Sequence, residues 1–481
     1  MLGGDWTSFS NQFSRAPPHS RTPILGRSDP EHDRNTDRAH CSTADRPEQR
    51  ICHCGRRAIA HSAAGTQGNE DQVTAAHLSA VRILPDTSAS AEDLPYELVE
   101  RKGVGHPDTM CDAIAERASR RYSEYCSKKF GRVAHHWFDK VMLFGGEADI
   151  DYGRGVQTKP YTVLFAGKGA YAFGDEPIPL RELLFAATAE VLSEVTTGFD
   201  PEQHLRVQCE IVDHQGAGRG GSRYRPQVLD DLVEIGDPRL VSNDCNLLHG
   251  YAPLSRLEQL VLSVEQYING AEFKLANPDT GWDVKVFGSR FGEEFKLIVN
   301  MPFLAARITS LEHYFARKQQ CEQQIGIFSE QLLEKRPELL LNPTDRNGKP
   351  YLTALGSVAD TGDVGVVGRG NRINGLITPM RSMSIEAPAG KNPLDHTGKL
   401  YGVLARDLAA EIHQATGYSV ETHVFTSKEA PLGAPDEVIV RVLGWEPDAE
   451  EEARLRAIVD HALADVSGIT ARLINTGIVM W

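Results

Sequence analysis

From Leu94 onward the apolar positions of this chain follow two alternating periods. Short runs of Val, Ile, Leu, Phe and Tyr predict strands at 141–144, 161–165, 205–212, 284–287, 295–299, 351–355 and 437–442. Apolar residues recurring every three or four positions predict helices over 109–125, 181–195, 255–268, 310–333, 397–416 and 449–464. Strand and helix signals occur in every third of this region, which predicts an α/β (α+β) enzyme fold. The alternation points to a repeated strand–helix–strand unit, although no sequence repeat accompanies it.

The pattern stops near residue 90. Residues 1–90 hold ten Arg, six His, ten acids and no Lys, with many Ser, Pro and Thr. Such a segment cannot bury enough apolar surface to offset its ordering entropy. The expectation is therefore a disordered extension over 1–90, consistent with a start assigned upstream of the natural one, and a catalytic region over 91–481. A mitochondrial-type transit peptide would be poor in acids, and this segment is balanced.

Charge and cysteine usage narrow the class. A net charge of −15 argues against non-specific nucleic-acid binding, which needs a basic face. No run reaches the roughly 18 apolar residues of a membrane span. The eight cysteines (41, 52, 54, 111, 126, 209, 245 and 321) lack framework spacing and no apolar signal segment precedes them, so reduced thiols in a cytoplasm are expected. Cys52-His53-Cys54 has no second ligand pair at a zinc spacing.

Candidate chemistry concentrates between Gly362 and Lys399. Five glycines there (362, 365, 368, 370 and 375) are threaded with Arg369, Arg372, Arg381 and Lys391, cations suited to phosphate oxygens. Asp363 adds a carboxylate. A solvated loop would account for an isolated glycine-rich run, but four cations within 23 residues favour a polyphosphate cradle. It is not a Walker A loop, because Gly390-Lys391 is followed by Asn392-Pro393. A GxGxxG match at Gly216, Gly218 and Gly221 runs into Ser222-Arg223-Tyr224-Arg225-Pro226 rather than a helix, so a dinucleotide site there is excluded.

A second constellation is ELVERKGVGHPDTMCDAIAE, residues 97–116. Pro107 restricts His106 and opens a helix, with Asp108 or Thr109 as cap and Thr109-x-x-Asp112 in capping-box form. On that reading Asp108 is structural and His106 is a turn residue. The functional reading uses the positive end of the helix, where His106 supports a phosphate leaving group and Asp108 ligates Mg²⁺. Asp283-x-Lys285, alone, reads as an outward-facing pair on one strand face.

The segments 100–112, Gly145-Gly146-Glu147, NDCNLLHGYAPLS at 243–255, GWDVKVFG at 281–288 and 362–399 occur in this order. Together they resemble the archaeal-type S-adenosylmethionine synthetases (methionine adenosyltransferases). VGRGNRINGLITPMRSMSIEAPAGKNP is nearly that family's signature, whereas GHPD is shared by the wider superfamily. The resemblance covers roughly residues 95–445. It implies three related subdomains around a pseudo-threefold axis, built from interleaved segments. It also implies a homodimer, or a higher oligomer, with active sites at the interface.

The implied reaction joins ATP and L-methionine, and it requires Mg²⁺ (two per site) and K⁺. Methionine sulfur attacks C5′ and expels tripolyphosphate, which is then hydrolysed to phosphate and diphosphate. By resemblance His106 supports the leaving oxygen, Asp108 binds Mg²⁺, Arg369 and Lys391 hold phosphates, and Lys285 assists tripolyphosphate handling. Asp363 lies near the methionine amino group and the nucleotide. Asp283, Asp244 and Glu147 contact nucleotide or methionine, Glu100 lines the site, and Gln215 is the position carried over within its loop.

Two departures stand out. His135-His136-Trp137-Phe138-Asp139-Lys140 places an aromatic pair where the family has small polar residues, and its histidines, facing opposite ways, read as structural. The loop at 215–222 is longer than the family's. Both leave room for altered substrate tolerance or a secondary-metabolism role. An ATP-dependent phosphotransferase using the same cradle and a non-catalytic regulatory paralogue are the competing readings; the second would be expected to lose His106, Asp108 or Lys285, and all are present.

Overall fold

The predicted alternation becomes three four-stranded sheets in a computed structural model that describes residues 80–214, 223–237 and 239–481. In chain order their strands are β1 (Ala80–Asp86), β2 (Tyr96–Lys102), β3 (His136–Phe144), β4 (Tyr161–Gly169), β5 (Leu205–Val212) and β6 (Asn246–Ala252). The second half supplies β7 (Lys285–Phe291), β8 (Glu294–Asn300), β9 (Glu338–Leu341), β10 (Val364–Val366), β11 (Ser419–Thr426) and β12 (Glu437–Leu443). The principal helices are α1 (Pro107–Phe130), α2 (Leu180–Glu194), α3 (Arg256–Ile268), α4 (Leu311–Leu333), α5 (Thr397–Thr416), α6 (Ala449–Ala464) and α7 (Val466–Asn475).

All three sheets follow one pairing scheme of two antiparallel pairs and then one parallel pair. The first sheet runs β6–β11–β12–β1, the second β2–β7–β8–β9 and the third β10–β3–β4–β5. The sheets exchange segments cyclically. Strand β2 lies in the second sheet, and α1 after it packs on the third; β10 lies in the third, and α5 packs on the first; β6 lies in the first, and α3 packs on the second. Each sheet has its own buried apolar core beneath helices. This threefold repetition is the repeat that the amino-acid sequence conceals.

Strand β1 corrects the expected boundary at residue 90. It lies inside the predicted extension and pairs in parallel with β12, completing the first sheet. Strands β6 and β11 were also absent from the predicted pattern. In β11, Thr422 and Thr426 alternate with Val420 and Val424 at the buried positions, which hides the apolar alternation. In β6 a Cβ on Gly250 would fall 2.2 Å from the Ala405 carbonyl, so glycine is what lets α5 approach the strand. The predicted strand at 351–355 contracts to Leu352–Thr353.

Candidate active site

The site grows from the crossing between the second and third sheets, where β2 ends and α1 begins. Pro107 occupies the first position of α1, and His106 before it is extended and caps the helix, its Nδ1 accepting the Asp108 N–H at 3.2 Å. The expected cap at Asp108 or Thr109 therefore does not form. Thr109 Oγ1 instead donates to the Lys102 carbonyl at 3.1 Å, and Asp112 reaches away to the glycine-rich segment. Because Nδ1 accepts, the imidazole proton belongs on Nε2. Burial, helped by the Lys102 and Lys285 charges and opposed by Asp108 and Asp363, lowers the His106 pKa to about 4. The ring is thus neutral at pH 7, with one N–H to donate.

His106 shares a cleft of about 290 Å³ with Asp283, Lys285, Asn300, Thr344, Tyr351 and Val358. Strand β7 pairs antiparallel with β2, placing Lys285 opposite Lys102. Lys285 Nζ lies 3.0 Å from Glu100 Oε1 and 4.8 Å over the Phe287 ring. Asp283 accepts the Val358 N–H at 3.0 Å and the Ser357 hydroxyl at 3.4 Å. Its pKa rises to about 7, chiefly through burial and further through the nearby Asp363 charge.

The glycine-rich segment closes one side. Asp108 Oδ1 accepts the Val366 N–H at 2.9 Å, while Lys102 Nζ donates to Asp108 Oδ2 and to the Arg369 carbonyl, each at 2.8 Å. Asn371 bonds both backbone groups of Lys102. The Arg369 side chain is exposed and forms no hydrogen bond or ion pair among the described residues. Asp363 is likewise exposed, and its charge acts on both His106 and Asp283.

The structure thus brings together Glu100, His106, Asp108, Asp283, Lys285, Asp363 and Arg369. Lys391 does not join them; it is buried between Asp139 and Glu386, 3.0 Å from each. Glu147 is exposed and paired with Lys159 at 3.1 Å, and Asp244 is exposed with its carboxylate on the Cys245 N–H; neither lines the cleft. Gln215, the GxGxxG match and Cys52-His53-Cys54 lie outside the described residues.

Two predicted phosphate cations prove structural. Arg372 donates to the Gly368, Gly370 and Ser384 carbonyls, and Arg381 pairs with buried Glu258 at 3.0 Å while covering the Tyr251 ring. His136 is structural as expected, wholly buried and 2.7 Å from Ser119 Oγ. As site residues Lys102 and Tyr351 escaped the sequence reading, which gave Asp112 only a place in a capping box. Lys102 was findable, since alternation along β2 places it on the same face as Glu100.

Among the described residues no three His, Cys, Asp or Glu side chains converge as an all-protein metal cage. Mg²⁺ is commonly held by one or two carboxylates together with substrate phosphates and water. Asp108, a hard oxygen donor beside the glycine-rich segment, suits that mode.

Comparison with known proteins decides the lineage. A sequence model described as S-adenosylmethionine synthetase (AdoMet synthetase) matches residues 80–477. The chain belongs to the S-adenosylmethionine synthetase family. The match begins at the first residue of β1, in keeping with that strand's place in the fold. The S-adenosylmethionine synthase of Aeropyrum pernix is 38% identical over 402 residues, covering 81% of this chain and 96% of its own. That of Thermoplasma acidophilum is 34% identical over 389 residues, covering 79% and 94%. A solved S-adenosylmethionine synthetase from Campylobacter jejuni aligns over 78% of this chain and 93% of its own, at 13% identity and a TM-score of 0.47.

Proposed function

We infer that the chain is a methionine adenosyltransferase, converting ATP, L-methionine and water into S-adenosylmethionine, phosphate and diphosphate. The observation carrying this reading is family membership across 80–477 together with His106, Asp283 and Lys285 in one cleft. Expelling a polyanion from carbon calls for charge stabilisation at the leaving oxygen rather than a protein nucleophile. His106 supplies a neutral Nε2–H donor for the C5′ bridging oxygen. Lys285 exchanges Glu100 for phosphate oxygens, and the Arg369 guanidinium grips the outer phosphates. Asp283, protonated below about pH 7, offers a hydrogen-bond donor to the nucleotide and ionises above it. Asp108 is the residue to hold Mg²⁺, which when bound neutralises triphosphate charge. K⁺ belongs to the same reading, tested by exchanging KCl for NaCl at constant ionic strength.

A homodimer also belongs to this reading. Leu84, Tyr96, Leu98, Trp137, Phe144, Leu247 and Phe425 are exposed on the sheet faces opposite the helices, an apolar distribution suited to face-to-face packing of two copies. Glu147 and Asp244, exposed and absent from the cleft of one chain, are then candidates to serve the partner's site. No helix among the described residues is long and apolar enough to cross a membrane, and a cytoplasmic location is proposed with the activity.

The test supplies ATP, methionine and Mg²⁺ and looks for the sulfonium product together with phosphate and diphosphate. ADP release without sulfonium favours the phosphotransferase reading and sinks this one. His106→Asn should lower kcat about 10²–10³-fold while leaving ATP binding largely intact. A loss below about threefold would remove His106 from its role.

A further inference from the structure

Helix α1 presents more than the predicted His-Pro-Asp corner. Asp108, Asp112 and Glu116 stand four residues apart on one buried face, and each accepts a backbone N–H from the glycine-rich region. The partners are Val366 and Gly368 at 2.9 Å and Gly390 at 3.0 Å. Asp108 also pairs with Lys102, and Glu116 with Lys399 at 2.6 Å. Asp112 differs: it is 2% exposed and forms no ion pair among the described residues. A buried carboxylate that no cation contacts is costly, the Arg372 and Lys102 charges acting on Asp112 only from beyond ion-pair distance, and an apolar residue of similar size would avoid that cost.

What Asp112 holds is the Val367–Gly368 peptide, one peptide ahead of the bond that leads into Arg369. Gly368 is left-handed (φ +81°), a conformation glycine adopts freely. Asp112 fixes its N–H, Arg372 takes its carbonyl at 2.6 Å, and Lys102 takes the Arg369 carbonyl at 2.8 Å. The backbone on both sides of Arg369 is therefore fastened, while the guanidinium itself has no partner among the described residues.

We propose that Asp112 is a positioning residue for triphosphate binding, acting through the Gly368 peptide to aim Arg369. It does not line the cleft, so its influence passes through the loop. This rests on the methionine adenosyltransferase reading. A fastened loop holds the guanidinium ready for phosphate, whereas a released one must be ordered by the ligand.

The test compares Asp112→Ala and Asp112→Asn with the wild-type full chain, measuring tripolyphosphate affinity, KM for ATP and for methionine, and Tm. The Ala variant should bind tripolyphosphate about tenfold more weakly and raise the KM for ATP similarly, with the methionine KM within threefold. The Asn variant keeps an acceptor oxygen and should stay within threefold of wild type for tripolyphosphate. Unchanged tripolyphosphate affinity in the Ala variant, or an equal loss for ATP and methionine, would overturn the proposal. If the Ala variant does not fold, the Asn variant decides, because a tenfold loss with the acceptor kept contradicts the hydrogen-bond basis. Wild type forming no S-adenosylmethionine would instead defeat the functional reading.

Discussion

Arg369 and Lys391 look alike as predicted phosphate cations, yet the structure treats them in opposite ways. Arg369 sits in a loop whose backbone is fastened at three points, while its side chain is exposed and unpaired among the described residues. Lys391 is about 5% exposed and spends its charge on Asp139 and Glu386. Gly390 before it is left-handed (φ +74°), and a Cβ there would fall 2.5 Å from the Phe138 carbonyl. One end of the segment is prepared for a ligand within a single chain; the other is built into that chain's interior. Cation content alone does not separate a binding group from an ion pair.

Truncation separates them. Lys391→Met leaves Asp139 buried with Lys140 as its remaining cation, and should cost about 3–5 kcal/mol of stability by chemical denaturation. Arg369→Met should stay within about 0.5 kcal/mol. Equal losses would erase the distinction.

The stability gap should also depend on pH. Burial raises the Asp139 pKa, but Lys391 and Lys140 outweigh it and hold the carboxyl below its ordinary value near 3.8. That contribution is present above the ordinary value and is lost as pH falls through the folded one. The gap between wild type and Lys391→Met should therefore narrow on acidification toward pH 3. A gap that widens would show that the pair is not what stabilises this end.

For ligand binding the order reverses. Arg369→Ala should weaken tripolyphosphate about tenfold and leave methionine within threefold. Loss of both ligands to the same extent would count against the phosphate role.

Much of this was legible beforehand, for physical reasons that particular residues display. The predicted ranges 205–212, 397–416 and 449–464 coincide with β5, α5 and α6, because each carries an uninterrupted period. Strand β1 was lost in a polar neighbourhood, since its exposed edge lets Arg82 and Asp86 interrupt the apolar run. His106, Asp283 and Lys285 were readable as motif residues, but that they share one cleft follows from β2 pairing with β7, a contact between distant segments. Arg372 and Arg381 misled because an arginine facing carbonyls or a buried glutamate has the same letter as one facing phosphate. Asp112 passed for a capping residue until the loop it holds was seen.

The central claim is that the phosphate chain is a leaving group, displaced from C5′, and not a donor. Turnover of ATP carrying ¹⁸O at the oxygen between C5′ and the α-phosphorus tests this directly. If methionine sulfur displaces the triphosphate, all of the label departs with inorganic phosphate and diphosphate, and the S-adenosylmethionine formed carries none. Label retained on the nucleoside product would contradict the account.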